Sequence, residues 1–320
     1  MATNLAFNGS LNQTVIDYNL LTIYAYAVAV PISFIGILAN FFLLYLISSG
    51  NHFNHITYKL IRIAVISDLT SLHFSLIVLT TLLLIETVDY QIANILCQNT
   101  VVITFCCYGI SMTTLCMISV DRYFTVVRPF SLLYRKHKKR IIYLGQAIGC
   151  LISLSVSIPC ALFLGVYPDE IRVCDFPNVN LPVSIYFHFL TLFLFIIPLS
   201  IIIINYSRVI LCRVNYIRPG QQTDGHSDDR MRRNKFTRVL VTITSIYILS
   251  TWPFFANLIG MSVTLSSARE IRKLGTGIYL MSLASFFSTF AVNVISPFIY
   301  FKFDHNINKK FFSTIRLIFK

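Results

Sequence analysis

The sequence predicts an all-α membrane protein: a bundle of seven membrane-spanning helices followed by a short amphipathic helix. Of its 320 residues, 56% are hydrophobic and only 12% are charged, and the mean hydropathy is +0.71. A soluble globule of this size needs more polar surface than this composition supplies. The chain also contains seven apolar stretches of at least the roughly 20 residues that a helix needs to cross a bilayer.

Each of the seven stretches is predicted to be one helix. They cover residues 21–47, 59–85, 96–123, 141–164, 183–211, 236–263 and 275–301. A transmembrane β-barrel would instead need segments of about 10 residues with alternating polarity. Runs such as 193–204 are apolar at nearly every consecutive position, which argues against a barrel.

The distribution of positive charge predicts the orientation in the membrane. When the amino terminus is placed outside, all but four of the 26 Lys and Arg residues fall on the inner side. The four exceptions are Arg172, Arg269, Arg272 and Lys273. This asymmetry follows the positive-inside rule. Contact with anionic membrane lipid explains the net charge of +13, so no nucleic-acid partner is predicted.

We expect residues 1–320 to form one domain. Its parts are an extracellular amino terminus at 1–20, the helix bundle at 21–301, and a cytoplasmic amphipathic helix and tail at 302–320. Glycosylation sequons begin at Asn8 and Asn12 in the outer segment, where modification is possible in a secretory compartment.

The segment after the seventh stretch has the pattern of a helix lying on a membrane surface. Its apolar residues recur every four positions, with polar and basic residues between them. The apolar set is Ile307, Phe311, Ile315 and Phe319, and the intervening set is Lys309, Lys310, Ser313 and Arg316.

Two of the eight cysteines, Cys97 and Cys174, lie at or beyond the outer membrane face. An oxidising compartment permits a disulfide there, and we predict that the two are bonded. The other six lie in the spans or near the inner face and are expected to act as small buried hydrophobes. They are Cys106, Cys107, Cys116, Cys150, Cys160 and Cys212, and no metal-ligand spacing occurs among them.

Several single residues and one three-residue motif stand out along the chain, nearly all of them within the seven stretches. They are Asn40, Asp68, Cys97, Asp121-Arg122-Tyr123, Pro129, Pro198, Tyr206, Pro253, Pro297 and Tyr300. Together they resemble the rhodopsin-like (class A) G-protein-coupled receptors, the peptide receptors in particular, over essentially the whole chain. The resemblance implies a plasma-membrane receptor, not an enzyme, with its amino terminus outside and a heterotrimeric G protein as partner.

The resemblance also assigns a switch at the inner face. Asp121 would hold Arg122 at rest, and Arg122 would meet the G protein when the sixth helix moves outward. Tyr206 and Tyr300 would swing toward Arg122. Tyr123 completes the Asp121-Arg122-Tyr123 motif, and Pro297 belongs to the same seventh-span motif as Tyr300. Near the inner end of the sixth stretch stand the bases Arg232, Arg233 and Lys235, with no acid that could bridge Arg122. We therefore expect weak restraint of the resting state.

A second implied site surrounds Asp68. An ionisable residue near the middle of a span is costly unless it has partners, so it indicates function. Ser111, Asn293 and Ser296 are the predicted partners, which resemble the family's sodium pocket. Bound Na⁺ is the only cofactor that we predict, and water-mediated polar packing is the alternative.

The sixth stretch departs from the family pattern. Thr251 holds the place of the usual tryptophan, and the chain's single tryptophan, Trp252, is adjacent to Pro253. A shift by one residue turns a side chain by about 100° around the helix. We therefore expect Tyr247 to act as the aromatic pivot.

The charge of the outer segments and the lack of two ligand-specific residues predict the class of ligand. The outer segments contain more acids than bases, which favours a cationic ligand. Thr104 replaces the aspartate of amine receptors, and residues 275–300 contain no lysine for retinal. We expect a peptide, most readily a basic one, that contacts a pocket beneath a lid at 166–182. The candidate pocket residues are Thr104, Tyr108, Trp252 and Phe255.

Other functions remain open at this stage. A lipid or other small messenger would suit the same fold, and so would a scaffold that binds without signalling. A transporter is disfavoured because the sequence shows no inverted repeat. An enzyme is disfavoured because His73 and His188 are isolated and no catalytic set occurs at membrane depth.

Overall fold

The computed structural model describes residues 18–49, 51–84, 89–215 and 227–318. Its helices are α1 (Tyr18–Ser48), α2 (Ile56–Leu84), α3 (Tyr90–Val126), α4 (Leu132–Ser157), α5 (Leu181–Thr191), α6 (Ile197–Asn215), α7 (Ser227–Thr264), α8 (Ala268–Ile271), α9 (Thr276–Phe303) and α10 (His305–Ile318). The strands are β1 (Gly165–Tyr167) and β2 (Glu170–Asp175). Short 3₁₀ segments lie at Asn51–Asn54, Ile158–Leu162 and Arg272–Leu274.

Seven helices in these ranges are long and apolar enough to cross a membrane. The first to seventh spans are α1, α2, α3, α4 with its 3₁₀ extension, α5 continued by α6, α7, and α9. The predicted seven-helix bundle and the short final helix are confirmed. The chain is therefore a multi-pass membrane protein.

The third and fourth spans begin well before their predicted apolar stretches, at Tyr90 and Leu132. The third starts at Tyr90 because Asp89 caps it, and its carboxylate accepts a hydrogen bond from the Gln91 amide at 3.1 Å. The fourth starts at Leu132 and includes the basic segment 135–140, within which the helix is kinked at His137. Hydropathy marks where hydrocarbon begins, whereas a helix can continue into water when a cap or good helix formers support it.

Close packing joins the third and fourth spans. A methyl group on Gly149 would stand 2.0 Å from Cγ2 of Thr113, and one on Gly109 would stand 2.4 Å from Oγ of Ser153. Small residues let two helix backbones approach in a membrane, where dispersion contacts drive association. These glycines therefore fix the distance between the two spans.

The fifth span changes its winding before its proline. Residues Leu192–Ile196 form one π turn between α5 and α6, in which the Ile197 amide donates to the Leu192 carbonyl. Pro198 has no amide hydrogen to continue the ordinary ladder. A π bulge at this point absorbs the missing bond and redirects the side chains that precede it.

A β-hairpin covers the end of the bundle that we name the hairpin end, and the Cys97–Cys174 disulfide that ties it to the third span is confirmed. Strands β1 and β2 pair antiparallel, with Val166 opposite Cys174. The hairpin is also held by side chains of the first and third spans. Tyr26 donates to the Arg172 carbonyl at 2.7 Å, and Gln98 donates to the Leu164 carbonyl at 3.0 Å.

At the opposite end, named the basic end, α10 turns away from the seventh span. Asp304 caps this helix by accepting from the amides of Asn306 and Ile307 at 3.0 and 3.1 Å. Ile307 is fully buried, and the Phe311 ring lies 4.9 Å from that of Phe301. The apolar side of α10 thus rests on the bundle.

Candidate functional site

Arg122 lies at the basic end of the third span, and Thr57 and Asp121 are among the residues that hold its guanidinium. Nη2 lies 2.5 Å from Oγ1 of Thr57 on the second span and 3.4 Å from a carboxylate oxygen of Asp121. Thr57 also donates to the same Asp121 oxygen at 3.4 Å. The Arg122 side chain therefore extends toward the second span at the basic end of the bundle.

The other carboxylate oxygen of Asp121 contacts two side chains of the fourth span. The Tyr134 hydroxyl donates to it at 2.7 Å, and the Lys138 ammonium lies 2.6 Å away. Asp121 is only 1% exposed. One buried carboxylate thus links three spans, and Arg122 shares its negative charge with Lys138.

The other predicted switch residues lie close to the bundle interior. Tyr206 on the fifth span and Tyr300 on the seventh are 5% and 2% exposed, and Pro297 is also buried. Tyr123 is half-buried and packs its ring edge against Phe124. The side chains of Arg232, Arg233 and Lys235 lie outside the described residues.

Asp68 sits in a polar cluster at the middle of the bundle. Ser111 donates to its carboxylate at 2.9 Å. Asn293 donates to Ser71 at 3.4 Å, and Asn40 donates to the Asn293 carbonyl at 2.7 Å. The cluster therefore brings together groups from the first, second, third and seventh spans.

Ser296, the fourth residue predicted for this cluster, is 8% exposed and one turn from Asn293. No hydrogen bond joins it to Asp68 in the part of the chain that the structure describes. The structure thus brings Asp68 directly to Ser111 and places Ser296 on the same helix face as Asn293.

An aromatic cluster lies between Asp68 and the hairpin end. The Tyr108 ring stacks on Tyr247 with centroids 5.6 Å apart, and it contacts Phe255 at 5.3 Å. Its hydroxyl donates to Thr251 at 3.3 Å. Phe255 in turn stacks on Phe195 from the fifth span, at 4.8 Å. The third, fifth and sixth spans therefore meet through rings and one hydroxyl pair.

Trp252 does not belong to this cluster. Its side chain is 51% exposed on the outside of the bundle, whereas Thr251 is fully buried. The one-residue shift in the helix has turned the indole away from the interior, so its prediction as a pocket residue is not supported. Phe255 does face inward, and Thr104 has a buried hydroxyl without a hydrogen-bond partner among the described residues.

The family model for the seven-transmembrane receptors of the rhodopsin family matches residues 39–300. The chain belongs to this family. It is thus a membrane receptor and not an enzyme.

Similar receptors bear the names of neuropeptide receptors. The neuropeptide Y receptor type 2 of Mus musculus is 26% identical over 71% of this chain and 60% of its own length, and the Homo sapiens protein is 25% identical over the same shares. The neuropeptide FF receptor 1 of Homo sapiens is 24% identical over 98% of this chain and 74% of its own. The aligned region spans about 60% of the neuropeptide Y receptors' length.

At the hairpin end of the receptor, Arg272 joins the hairpin to the connection between the sixth and seventh spans. Its guanidinium donates to both oxygens of Glu170 at 2.7 and 2.8 Å. The rings of Tyr18 and Tyr279 each lie 4.9 Å from it. The Arg272 and Glu170 side chains are 9% and 15% exposed. An ion pair so shielded from water is stronger than an exposed one.

Two further acids fasten the same connection. Asp175 is 3% exposed and accepts from the amides of Ala268 and Arg269 at 3.1 and 2.9 Å, at the start of α8. The Arg269 side chain bonds Asp169, and these hydrogen bonds lower the pKa of the Asp169 carboxyl. The hairpin and the α8 connection therefore form one strap, which we name the outer strap.

The outer strap weakens the charge argument for a cationic ligand. Besides Asp169, Glu170 and Asp175, the described acids at this end are Asp89, which caps the third span, and Glu270, which forms a capping box with Ser267. Each is engaged within the protein. The other acids of the outer segments are Asp17 and Glu86. Both of them, and the sequons at Asn8 and Asn12, lie outside the described residues.

Sequence reasoning missed several of these residues. Thr57, Tyr134 and Lys138 contact the Asp121-Arg122 pair from other spans, and Arg272 pairs with an acid about 100 positions away. The spacing of Arg269 and Arg272, which are one helical turn apart, was a visible signal. It did not reveal their partners.

We expect Lys138→Met to lower basal signalling by about twofold, because an ion pair of this exposure is worth at most about 1 kcal/mol. Removing the ammonium leaves more of the Asp121 charge to hold Arg122 at rest. Ligand-independent G-protein dissociation in cells, normalised to surface expression, measures the change. Lys139→Met, an exposed neighbour, is the matched control. An increase in basal signalling in Lys138→Met alone would contradict the expectation.

A mutant cycle tests the outer strap. Arg272→Gln and Glu170→Gln should each lower the thermal midpoint of the purified receptor by roughly 3 °C or more, since each breaks a shielded ion pair. The double variant should lose little more than either single one. The comparison cycle, Arg269→Gln with Asp169→Asn, should show a smaller coupling, because the Asp169 side chain is 61% exposed and exposed ion pairs are weak. Additive losses at Arg272 and Glu170 would show that they do not interact.

Proposed function

We propose that the chain is a plasma-membrane receptor that binds an extracellular peptide at its hairpin end. Binding activates a heterotrimeric G protein at the basic end through outward movement of the sixth span. In this proposal the amino terminus and the hairpin are extracellular. The basic end, with Arg122 and α10, is cytoplasmic, as the positive-inside rule indicates.

The arrangement of Arg122 carries the proposal. The guanidinium is held by Thr57 at 2.5 Å and, at 3.4 Å, by a carboxylate that it shares with Lys138. Its side chain is still 18% exposed at the bundle end. A cation held in this way can exchange its internal partners for groups of a G protein at modest cost, because both states keep it hydrogen-bonded.

A peptide ligand is supported by the similar receptors and by the shape of the hairpin end. The names of the similar proteins specify neuropeptides. A hairpin fixed by a disulfide and by Arg272 presents a rigid rim, which suits an extended ligand that binds along it. A basic peptide would have to compete with Arg269 and Arg272 for the hairpin acids.

A lipid or other small-molecule ligand on the same fold is the second candidate. The observation that favours it is the mainly aromatic and apolar contact set around Phe255. A non-signalling scaffold is the third candidate. It is favoured by the outward position of Trp252, which removes the usual aromatic group from the bundle interior.

Arg122→Ala should abolish agonist-dependent G-protein dissociation in cells challenged with a pooled peptide library, because it removes the group that meets the G protein. Arg140→Ala, which removes an exposed base on the fourth span, should retain the response. A peptide response that survives Arg122→Ala would contradict the proposed switch. No response from a surface-expressed receptor would contradict a peptide ligand, and a response to lipids would then support the second candidate.

We also propose that Na⁺ binds at Asp68 in the resting receptor. The surrounding groups suit it, since a carboxylate with the hydroxyls of Ser111 and Ser71 provides the hard oxygen ligands that such cations prefer. Asp68 would carry the neutralising charge, and Asn293 and Ser296 would complete the polar wall. The ion would thereby stabilise the arrangement in which the second, third and seventh spans are packed together.

Sodium chloride should raise the thermal midpoint of the purified receptor by about 2 °C or more relative to N-methylglucamine chloride at equal concentration, as expected for a ligand of the native state. Asp68→Asn should remove this difference while retaining surface expression. Equal midpoints of the wild-type receptor in the two salts would contradict a sodium site.

A further inference from the structure

Arg172, on strand β2, differs from the other Lys and Arg residues at the hairpin end. Arg269 and Arg272 are paired with acids of the hairpin, and Lys273 is exposed. Arg172 is half-buried, and no acid among the described residues forms an ion pair with it. A cation that is partly withdrawn from water without a counter-charge is costly. Such a group is suited to receive an anion from outside the chain.

The backbone and the side chain of Arg172 are both held in place. Its carbonyl accepts a hydrogen bond from the Tyr26 hydroxyl of the first span at 2.7 Å, and its Nε donates to the Leu82 carbonyl of the second span at 3.1 Å. Two residues further along β2, Cys174 ties the strand to the third span. The guanidinium therefore has a fixed position, close to the ends of the first and second spans.

The hydrogen bond to Leu82 leaves most of the guanidinium unused. A guanidinium carries five N–H donors, and this contact takes one of them. Nη1 and Nη2 have no hydrogen-bond partner within the described ranges, and neither is among their enclosed polar atoms. Capping a helix end explains the Nε contact. It does not use the terminal fork, whose geometry matches the two oxygens of a carboxylate.

An apolar cluster lies beside this guanidinium. Tyr26 and Leu82, which both contact Arg172, are buried in the cluster together with Val78. Half-buried side chains from the second, third and seventh spans pack against these three, and they are Leu79, Leu83, Leu96 and Phe287. A ligand with a carboxylate on an apolar body would match the guanidinium and the cluster together.

The charges at the hairpin end favour an anion over a cation next to Arg172. Each acid described there is already bonded within the protein, either to a side chain of the outer strap or to backbone amides. A cationic group would therefore meet one more positive charge and displace an existing pair to find an acid. A carboxylate would complete the coordination of Arg172 and break no pair.

We propose that Arg172 is the anion-binding residue of the ligand site and receives a carboxylate of the extracellular ligand. The carboxylate meets Nη1 and Nη2, and the adjoining apolar group packs beside Leu96 and Phe287. In a peptide, a C-terminal residue with a free carboxylate and an apolar side chain has this chemistry. The inference rests on the proposed receptor function and deepens it, since it specifies an anionic group where the outer acids had indicated a cationic ligand.

Two small probes that differ only in charge test the site without an agonist. N-acetylphenylalanine carries a carboxylate, and N-acetylphenylalaninamide has the same apolar body without one. Each is titrated against purified receptor, and the rise in thermal midpoint gives an apparent dissociation constant. We expect the constant of the carboxylate to be about tenfold lower, because a charge-assisted pair with a guanidinium is stronger than a neutral contact.

Arg172→Gln should remove the tenfold difference between the two probes while the receptor remains folded. Lys273→Gln, which removes an exposed base at the same end, should retain it. Equal constants for the two probes in wild-type receptor would overturn the proposal, and so would a tenfold difference that persists in Arg172→Gln. A probe-free midpoint lowered as far by Arg172→Gln as by Arg272→Gln would show that an acid of the receptor already pairs with Arg172, which also overturns it.

A signalling assay then identifies the source of the carboxylate. Cells are challenged with one peptide library in free-acid form, with the same library amidated at its C-termini, and with decanoate. A response that is lost both on amidation and in Arg172→Gln places the carboxylate at a peptide C-terminus. A response to both libraries that is lost in Arg172→Gln places it on an acidic side chain.

The same assay separates the two proposals. A response to decanoate alone that requires Arg172 would support the anion site and contradict the peptide ligand of the proposed function. A peptide response of equal strength in wild-type receptor and Arg172→Gln would contradict the anion site and leave the proposed function intact.

Discussion

The carboxylate of Asp121 is nearly inaccessible to water, and the spans around it are arranged to supply its donors. Tyr134 and Lys138 from the fourth span approach one oxygen, and Thr57 from the second approaches the other. Hydrocarbon and packed side chains cannot solvate a carboxylate, so an unpartnered one would be costly. The positions of these spans at the basic end, and with them the position of Arg122, follow from satisfying this one group.

The hairpin end meets the same requirement with different groups. Asp175 is as buried as Asp68, and it is satisfied by backbone amides of α8 together with the Tyr167 hydroxyl at 3.0 Å. Glu170 is satisfied by Arg272. Both acids lie on β2, the strand that the Cys174 disulfide ties to the third span. The outer strap is consequently stiff, and in the proposed function a ligand would bind along it or displace its pairs.

The interior between these ends is aromatic rather than polar. Tyr108, Thr251 and Tyr247 form a contact set in which one hydroxyl pair and two rings replace a tryptophan. Signal transfer from the ligand side to Arg122 would then pass through the shared packing of the third and sixth spans.

The sequence by itself determined what depends on local composition. Apolar length fixed the seven spans, charge asymmetry indicated their orientation, and the positions of Cys97 and Cys174 fixed the disulfide. The recurrence of Ile307 and Phe311 indicated the final helix. The motif residues Asp68 and Arg122 could be named because each stands at a recognisable place along its own span.

Only the tertiary structure decided which residues meet. It showed that Asp121 pairs with Lys138 as well as with Arg122, that Arg272 pairs with Glu170 and that Trp252 faces outward. These contacts depend on the rotation of each helix about its axis and on how loops bring distant segments together. A rotation of one residue moves a side chain by about 100°. Hydropathy along the chain does not carry that information, because the lipid-facing and interior sides of a membrane helix are both apolar.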